Sequence, residues 1–320
     1  MVARRDCGQA AVAGSQPADG RIWRMIDPIA FQIGPLQVHW YGIIIASAIL
    51  IAALLGARVA KSKGEDPDEG WSMLLFVVVV SVVGARIYHV IHEWDFYSEN
   101  PLLIPQVWNG GIGIPGAIAG GVLAIWIYTR AKGLNAARWF DIFAPATLLG
   151  QAIGRLGNFV NQELYGGPTT LPWGIPIDGE HRISAYADLN AFPVDTTRFH
   201  PLFAYEAILN LIGMGVLLFV GWRFARRLYA GDVFLMYVMW YSAVRFSLEP
   251  FRSDNWVIAG VPTAMWIAAI AFVAAAAFLV IRHVRGWGSP SVRPADETDV
   301  QARTDDAAAT PRPGTEPSPG

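Results

Sequence analysis

The sequence predicts an all-α integral membrane protein of about seven transmembrane helices with a small extracytoplasmic cap, N-terminus out and C-terminus in. Three observations carry this expectation. Of the 320 residues, 53% are apolar and only 16% charged, whereas soluble chains carry roughly 25% charged residues. The mean hydropathy is +0.35. Apolar runs of about 20 residues recur, and at about 1.5 Å per residue each covers a hydrocarbon core of roughly 30 Å.

Residues 1–26 are rich in Ala, Gly and Gln with scattered Arg and lack the continuous apolar core of a signal peptide, so they read as a disordered tail. Seven apolar runs follow, at approximately 38–60, 71–92, 113–129, 140–160, 202–222, 233–249 and 260–281. The second holds Met73-Leu-Leu-Phe-Val-Val-Val-Val80, whose β-branched residues favour a strand in water; in lipid, a helix satisfies every backbone group within the segment. Residues 161–200 are long enough for a cap outside the membrane. Residues 27–286 read as one polytopic membrane domain without internal repeats, and residues 287–320, rich in Pro, Ala, Asp, Thr and Ser, as a disordered cytoplasmic tail. Trp40, Trp94, Trp108 and Trp173 fit an interfacial belt.

Orientation follows from the basic residues. Arg58, Lys61 and Lys63, then Arg130, Lys132 and Arg138, then Arg223, Arg226 and Arg227, then Arg282 and Arg285 mark the cytoplasmic ends. The alternate loops are poor in Lys and Arg. Arg4, Arg5, Arg21 and Arg24 oppose this pattern, and initiation at Met25 instead of Met1 would remove the conflict.

Composition also excludes function classes. A net charge of −2 lacks the basic footprint of phosphate-backbone binding, so no nucleic-acid partner is expected. Cys7 is the single cysteine, which rules out an internal disulfide and a thiolate metal centre and leaves no convincing thiol nucleophile. Gly111-Ile-Gly113-Ile-Pro115-Gly116 matches a dinucleotide fingerprint literally, but no strand precedes it; it reads as a tight loop that lets backbones approach. His92-Glu93 lacks the second His of a zinc-protease motif, and Asp66 and Asp68 lack the other ligands of a calcium loop. Neither metal nor cofactor is expected.

A charge inside a span costs about 2.5–3.5 kcal/mol on insertion scales, so each is a functional candidate. In the fourth run Gln151, Arg155 and Asn158 form a polar stripe beside Gly150, Gly154 and Gly157, and Asn161 and Glu163 continue the polar surface. In the sixth, Tyr241, Arg245, Glu249 and Arg252 repeat the spacing, with Arg245 and Glu249 placed to pair and Pro250 ending the helix. In the second, Arg86, His89 and Glu93 form a third stripe. Snorkelling or structural pairing explains each stripe individually; together, they describe an outward-facing cavity whose guanidiniums suit a phosphate.

The run Gly154-Arg-Leu-Gly-Asn158-Phe-Val-Asn161-Gln-Glu163-Leu-Tyr-Gly166 resembles the signature of the bacterial prolipoprotein diacylglyceryl transferase family. Supporting blocks follow in order: His39-Trp-Tyr41-Gly42, Gly84-Ala-Arg86, Trp108-Asn-Gly-Gly111, His200-Pro201 with Tyr205-Glu206, and Arg245-Phe-Ser-Leu-Glu249-Pro-Phe-Arg252. The resemblance covers about residues 27–285. It implies a multi-pass enzyme of the bacterial plasma membrane that moves the diacylglyceryl group of phosphatidylglycerol onto the lipobox cysteine of a preprolipoprotein, releasing glycerol phosphate. The thioether product would pass to the lipoprotein signal peptidase. By resemblance Arg155 and Arg245 are essential, and Tyr41, Asn158, Glu163, Gly166 and Glu249 are implicated; Arg86, Asn161, His200 and Arg252 join the expected substrate site. One departure stands out: where the family commonly has a His proposed as a base, this chain has Pro115, which cannot accept a proton. The rival reading, a lipid or small-anion transporter or flippase, predicts inverted repeats and midplane polar sites.

Overall fold

The computed structural model describes residues 29–34, 36–252 and 257–293. The expected tail 1–26, and residues 294–320 of the other, lie outside the described residues. All seven apolar runs are helical: α1 (Trp40–Ser62), α2 (Pro67–His92), α4 (Ile114–Lys132), α5 (Ala136–Val160), α6 (Leu202–Arg223), α7 (Asp232–Leu248) and α8 (Thr263–Arg285). A short helix, α3 (Trp94–Glu99), follows α2. Of these, α1, α2, α4, α6 and α8 are long and apolar enough to cross a membrane. The other two fall short for different reasons. α5 carries Arg138, Asp141 and Arg155, and α7 has 17 residues, which at about 1.5 Å each give a rod shorter than the core of roughly 30 Å.

The all-α expectation needs one correction. Strands β1 (Ile29–Ile33) and β2 (Leu36–His39) form an antiparallel hairpin before α1, and β3 (Val257–Ile258) pairs with β4 (Val261–Pro262) before α8. Each is a turn-driven ribbon, with Gly34 at φ 59° and Gly260 at φ 79° supplying the left-handed residue that other side chains adopt at a cost.

Small residues decide which helices touch. α2 and α4 run antiparallel with backbones in contact: a Cβ on Gly84 would lie 2.5 Å from the Gly116 carbonyl oxygen, and one on Gly120 would lie 2.7 Å from that of Val80. α1 lies along α5 through Gly150 against Ala52 and Gly154 against Ile45. Trp139, Ile142, Met73, Ala60 and Ile125 knit α1, α2, α4 and α5; Leu148, Leu217 and Val233 join α5, α6 and α7. Outside these seams the helices present apolar side chains outward, as Leu75 (70% exposed) and Ile270 (66%) show, a surface suited to lipid. Residues between α5 and α6 fold over as a cap with its own core of Tyr165, Ile177 and Phe199.

At the end of the bundle where α2, α5 and α7 begin, buried charges form a network. Lys63 lies 3.6 Å from Asp141, Arg138 pairs with Glu65, and Asp232 meets Arg282 at 3.1 Å and His283 at 2.7 Å. The expected tail starts at residue 287, but residues 287–293 are packed here: Lys63 Nζ donates to the buried Ser291 hydroxyl at 2.7 Å, and Ala230 N donates to Ser289 O at 2.8 Å. Burial without partners would be costly, so these charges hold the segment.

Candidate active site

At the opposite end, where α5 and α7 finish and α6 begins, two of the three predicted stripes converge. Arg155 donates from Nη1 to Asn158 Oδ1 at 3.1 Å and from Nη2 to Glu206 of α6. Glu206 is 3% exposed, while the Arg155 side chain keeps 25% of its surface, so the guanidinium has a buried counter-ion behind it and an open face in front. Asn158 passes the network on, donating to Glu163 Oε1 at 2.8 Å; Asn161 donates to the same oxygen at 3.4 Å. Glu163 is turned back toward α5 because its neighbours Gln162 (φ 51°) and Leu164 (φ 56°) are both left-handed. Such conformations cost about 1–2 kcal/mol per residue. Hydrogen bonds from Asp178 N to Gln162 Oε1 (2.8 Å) and from Phe203 N to Leu164 O (3.1 Å) hold them.

α7 contributes the second guanidinium. Arg245 Nη2 lies 2.8 Å from Glu249 Oε2, one turn on, and Glu249 is buried. Pro250 ends the helix as the sequence predicts, and a 3-10 turn, Glu249–Phe251, leads to Arg252. Tyr241 sits among these groups, within electrostatic range of Glu206, Arg245, Arg155 and Arg252. Gly166 couples the cap to this turn: a Cβ there would stand 2.8 Å from Phe251 O and 3.1 Å from His200 Cβ. The His200 ring meets Phe251 edge-on at 5.6 Å, and its Nδ1 lies 3.2 Å from the Tyr205 hydroxyl, which accepts from Trp173 Nε1 at 2.8 Å.

Arg155 and Asn158 also line the head of a cavity of about 460 Å³ between α1, α2 and α5. Tyr41 stands at the same mouth, its ring against Gly157, where a Cβ would come within 2.7 Å of it. Below them the walls are apolar, from Ile45 and Ala48 down to Trp71 and Trp139. A guanidinium fork above an apolar slot can take an anion that carries a hydrocarbon chain.

Two features differ from the sequence reading. Arg86, expected among the substrate contacts or paired with Glu93, is 6% exposed and donates to the carbonyls of Leu103 (2.6 Å), Ile104 (2.7 Å), Gly110 (2.7 Å) and Gly111 (2.9 Å). With four donors engaged by backbone, it organises the loop between α3 and α4. Gly111 is required there, since a Cβ would fall 2.7 Å from Arg86 Nη1. Glu206, by contrast, is absent from the predicted site although it pairs with Arg155; a carboxylate near the start of an apolar helix was the available signal. Among the described residues, no group of three His, Cys, Asp or Glu side chains converges as a metal site.

Fold and site together define a helical membrane protein with a cationic pocket at the head of an apolar groove. The chain belongs to the prolipoprotein diacylglyceryl transferase family, whose model matches residues 28–281. It is similar to the phosphatidylglycerol–prolipoprotein diacylglyceryl transferase of Chloroflexus aggregans, with 42% identity over 81% of this chain and 90% of that one. The proteins of the same name from Lysinibacillus sphaericus (39% identity, 81% of this chain, 93% of that one) and Geobacillus kaustophilus (36%, 82% and 94%) match at similar extent.

Proposed function

We propose that this protein transfers the diacylglyceryl group of phosphatidylglycerol to the lipobox cysteine thiol of preprolipoproteins, forming a thioether and releasing glycerol phosphate, before the product passes to the lipoprotein signal peptidase. The observation that carries this reading is Arg155, held by Asn158 and buried Glu206 at the head of an apolar cavity, in a chain that shares a family with transferases of that name. Family membership favours this over a transporter or flippase. Residues 27–286 form the membrane domain, with all seven long helices crossing the bacterial plasma membrane, the N-terminus out and the C-terminus in. The basic loops support that orientation.

Sulfur attacks the glyceryl carbon that bears the phosphate oxygen; the carbon–oxygen bond breaks, and the oxygen leaves with the phosphate. Charge builds on the leaving group, where Arg155 and Arg245 act as catalytic residues by stabilising it. Their carboxylate partners hold the forks in place, so little reorganisation is needed as the charge develops. Tyr41, Asn158, Asn161, Glu163, Gly166, His200, Glu249 and Arg252 shape the surrounding substrate site. Pro115 lies at the start of α4, where a missing N–H is tolerated, and takes no part in proton transfer. The peptide thiol, with an ordinary pKa near 8.5, is activated by the cationic pocket. The test is purified protein with phosphatidylglycerol and a lipobox peptide: a mass gain of one diacylglyceryl group on the cysteine supports the reading, and no gain from folded protein overturns it.

A further inference from the structure

The cavity below Arg155 changes character with depth. Its upper part, at Tyr41, Ile45 and Ala48, is walled by α1 and α5, and no α2 residue borders it there. Lower down, Gly70, Trp71, Leu74 and Val77 of α2 close the third side opposite Ala53 and Ala57 of α1. Trp139, fully buried, stands with Trp71 at the far end, and a Cβ on Gly70 would come within 3.3 Å of the Trp139 ring. From Tyr41 to Ala57 the lining runs along α1 for about 24 Å at 1.5 Å per residue. The lower pocket therefore lies beyond the reach of a short chain whose headgroup sits at Arg155.

Resting on the transferase reading, we propose that this groove takes one acyl chain of the donor phospholipid and that its lower pocket, ending at Trp71 and Trp139, makes the enzyme select long chains over short ones. Charge complementarity assigns the occupant. Arg155 and Asn158 border the same cavity as the apolar walls, so its ligand has an anionic head joined to a hydrocarbon tail. Selectivity comes from filling. Surrounding lipid is as apolar as the groove, so hydrophobic transfer contributes little. A short chain, however, leaves the three-sided pocket without contact atoms and forfeits dispersion there. Small residues at Ala53, Ala57 and Gly56 keep that space open.

The experiment is a competition in mixed micelles between dipalmitoyl- and dioctanoyl-phosphatidylglycerol at equal concentration, with a lipobox peptide as acceptor and the two lipopeptides resolved by mass. Wild-type protein is expected to favour the long-chain product by at least about tenfold, the order of a well-filled apolar pocket. Ala53→Phe, which fills the lower pocket, is expected to reduce that ratio at least about fivefold while dioctanoyl turnover stays within about twofold. Ala57→Leu, deeper and milder, serves if the first variant does not fold, with a reduction of about twofold to threefold expected. An unchanged product ratio in a variant that still turns over dioctanoyl lipid overturns the proposal, as does a shift in preference for peptide hydrophobic length instead of acyl length. Absence of product from wild-type protein with either lipid would instead contradict the transferase reading.

Discussion

Replacing Arg155 by Lys separates charge from geometry. The guanidinium uses one nitrogen for Asn158 and another for Glu206, and its remaining open face is what a phosphodiester would meet. A lysine ammonium keeps the positive charge and can hold Glu206, but it is a point charge without a planar fork. Ground-state attraction for the anionic lipid should survive, so KM for phosphatidylglycerol is expected to stay within about threefold. The developing charge on the leaving oxygen loses an oriented donor, which lowers kcat by about a hundredfold, or roughly 3 kcal/mol. Glu206 remains compensated, so the variant should fold; elution as a single species and an unfolding midpoint near wild type would establish that. The assay is thioether formation at saturating peptide with varied lipid. A folded Arg155→Lys protein with kcat within threefold of wild type would refute the reasoning, and a raised KM with unchanged kcat would make Arg155 a binding group only.

The buried pair at the other end is expected to be structural. Lys63→Met removes the Nζ donor that serves both the buried Ser291 hydroxyl and Asp141, a loss that deprotonation does not cause, and should lower stability by about 1–3 kcal/mol without changing kcat, as read by thermal unfolding and turnover together. Burial pushes the Lys63 ammonium below its ordinary pKa, so the folded state bears a cost from charging it that is full below that lowered value and relieved as pH rises through it; wild-type stability should gain from this group in the alkaline range below about 10.4, and Lys63→Met should lose that gain. For topology, cysteines replacing the exposed Glu180 and Ala131 in a Cys7→Ser background should differ: an impermeant reagent applied to intact cells should label position 180 and spare position 131, and the reverse pattern would invert the orientation. His200→Ala should keep measurable turnover, with one lowered apparent pKa belonging to the bound thiol; loss of turnover that high pH restores, with binding intact, would make His200 the base.

How much of this was legible in the sequence depended on whether one element could be read by itself. The long helices follow from apolar runs whose backbone groups, in lipid, are satisfied only inside each segment, even through the valine run of α2. Arg245 and Glu249 pair one helical turn apart along the chain, so their spacing sufficed. Arg155 was legible as a charge needing a partner, but its partner lies on α6, and no periodicity connects residues 155 and 206. Arg86 satisfied the same criterion and meets carbonyls instead, because backbone acceptors leave no trace in side-chain identity. The network of Lys63, Asp141, Asp232 and Arg282 was hidden for another reason: its members come from segment ends that charge counting treats as solvated. The hairpins were missed because strands of five residues or fewer give too short an alternation to stand against apolar runs.

The fate of the bridging oxygen tests guanidinium-assisted departure of the phosphate most directly. Phosphatidylglycerol carrying a heavy oxygen isotope between the diacylglyceryl carbon and phosphorus would be incubated with the protein and a lipobox peptide, and both products weighed by mass spectrometry. Attack on carbon with the phosphate as leaving group places the heavy isotope in glycerol phosphate and none in the lipopeptide. Heavy isotope retained on the lipid side, with sulfur bonded to phosphorus or no sulfur adduct formed, would contradict the assignment of Arg155 and Arg245 to the leaving group.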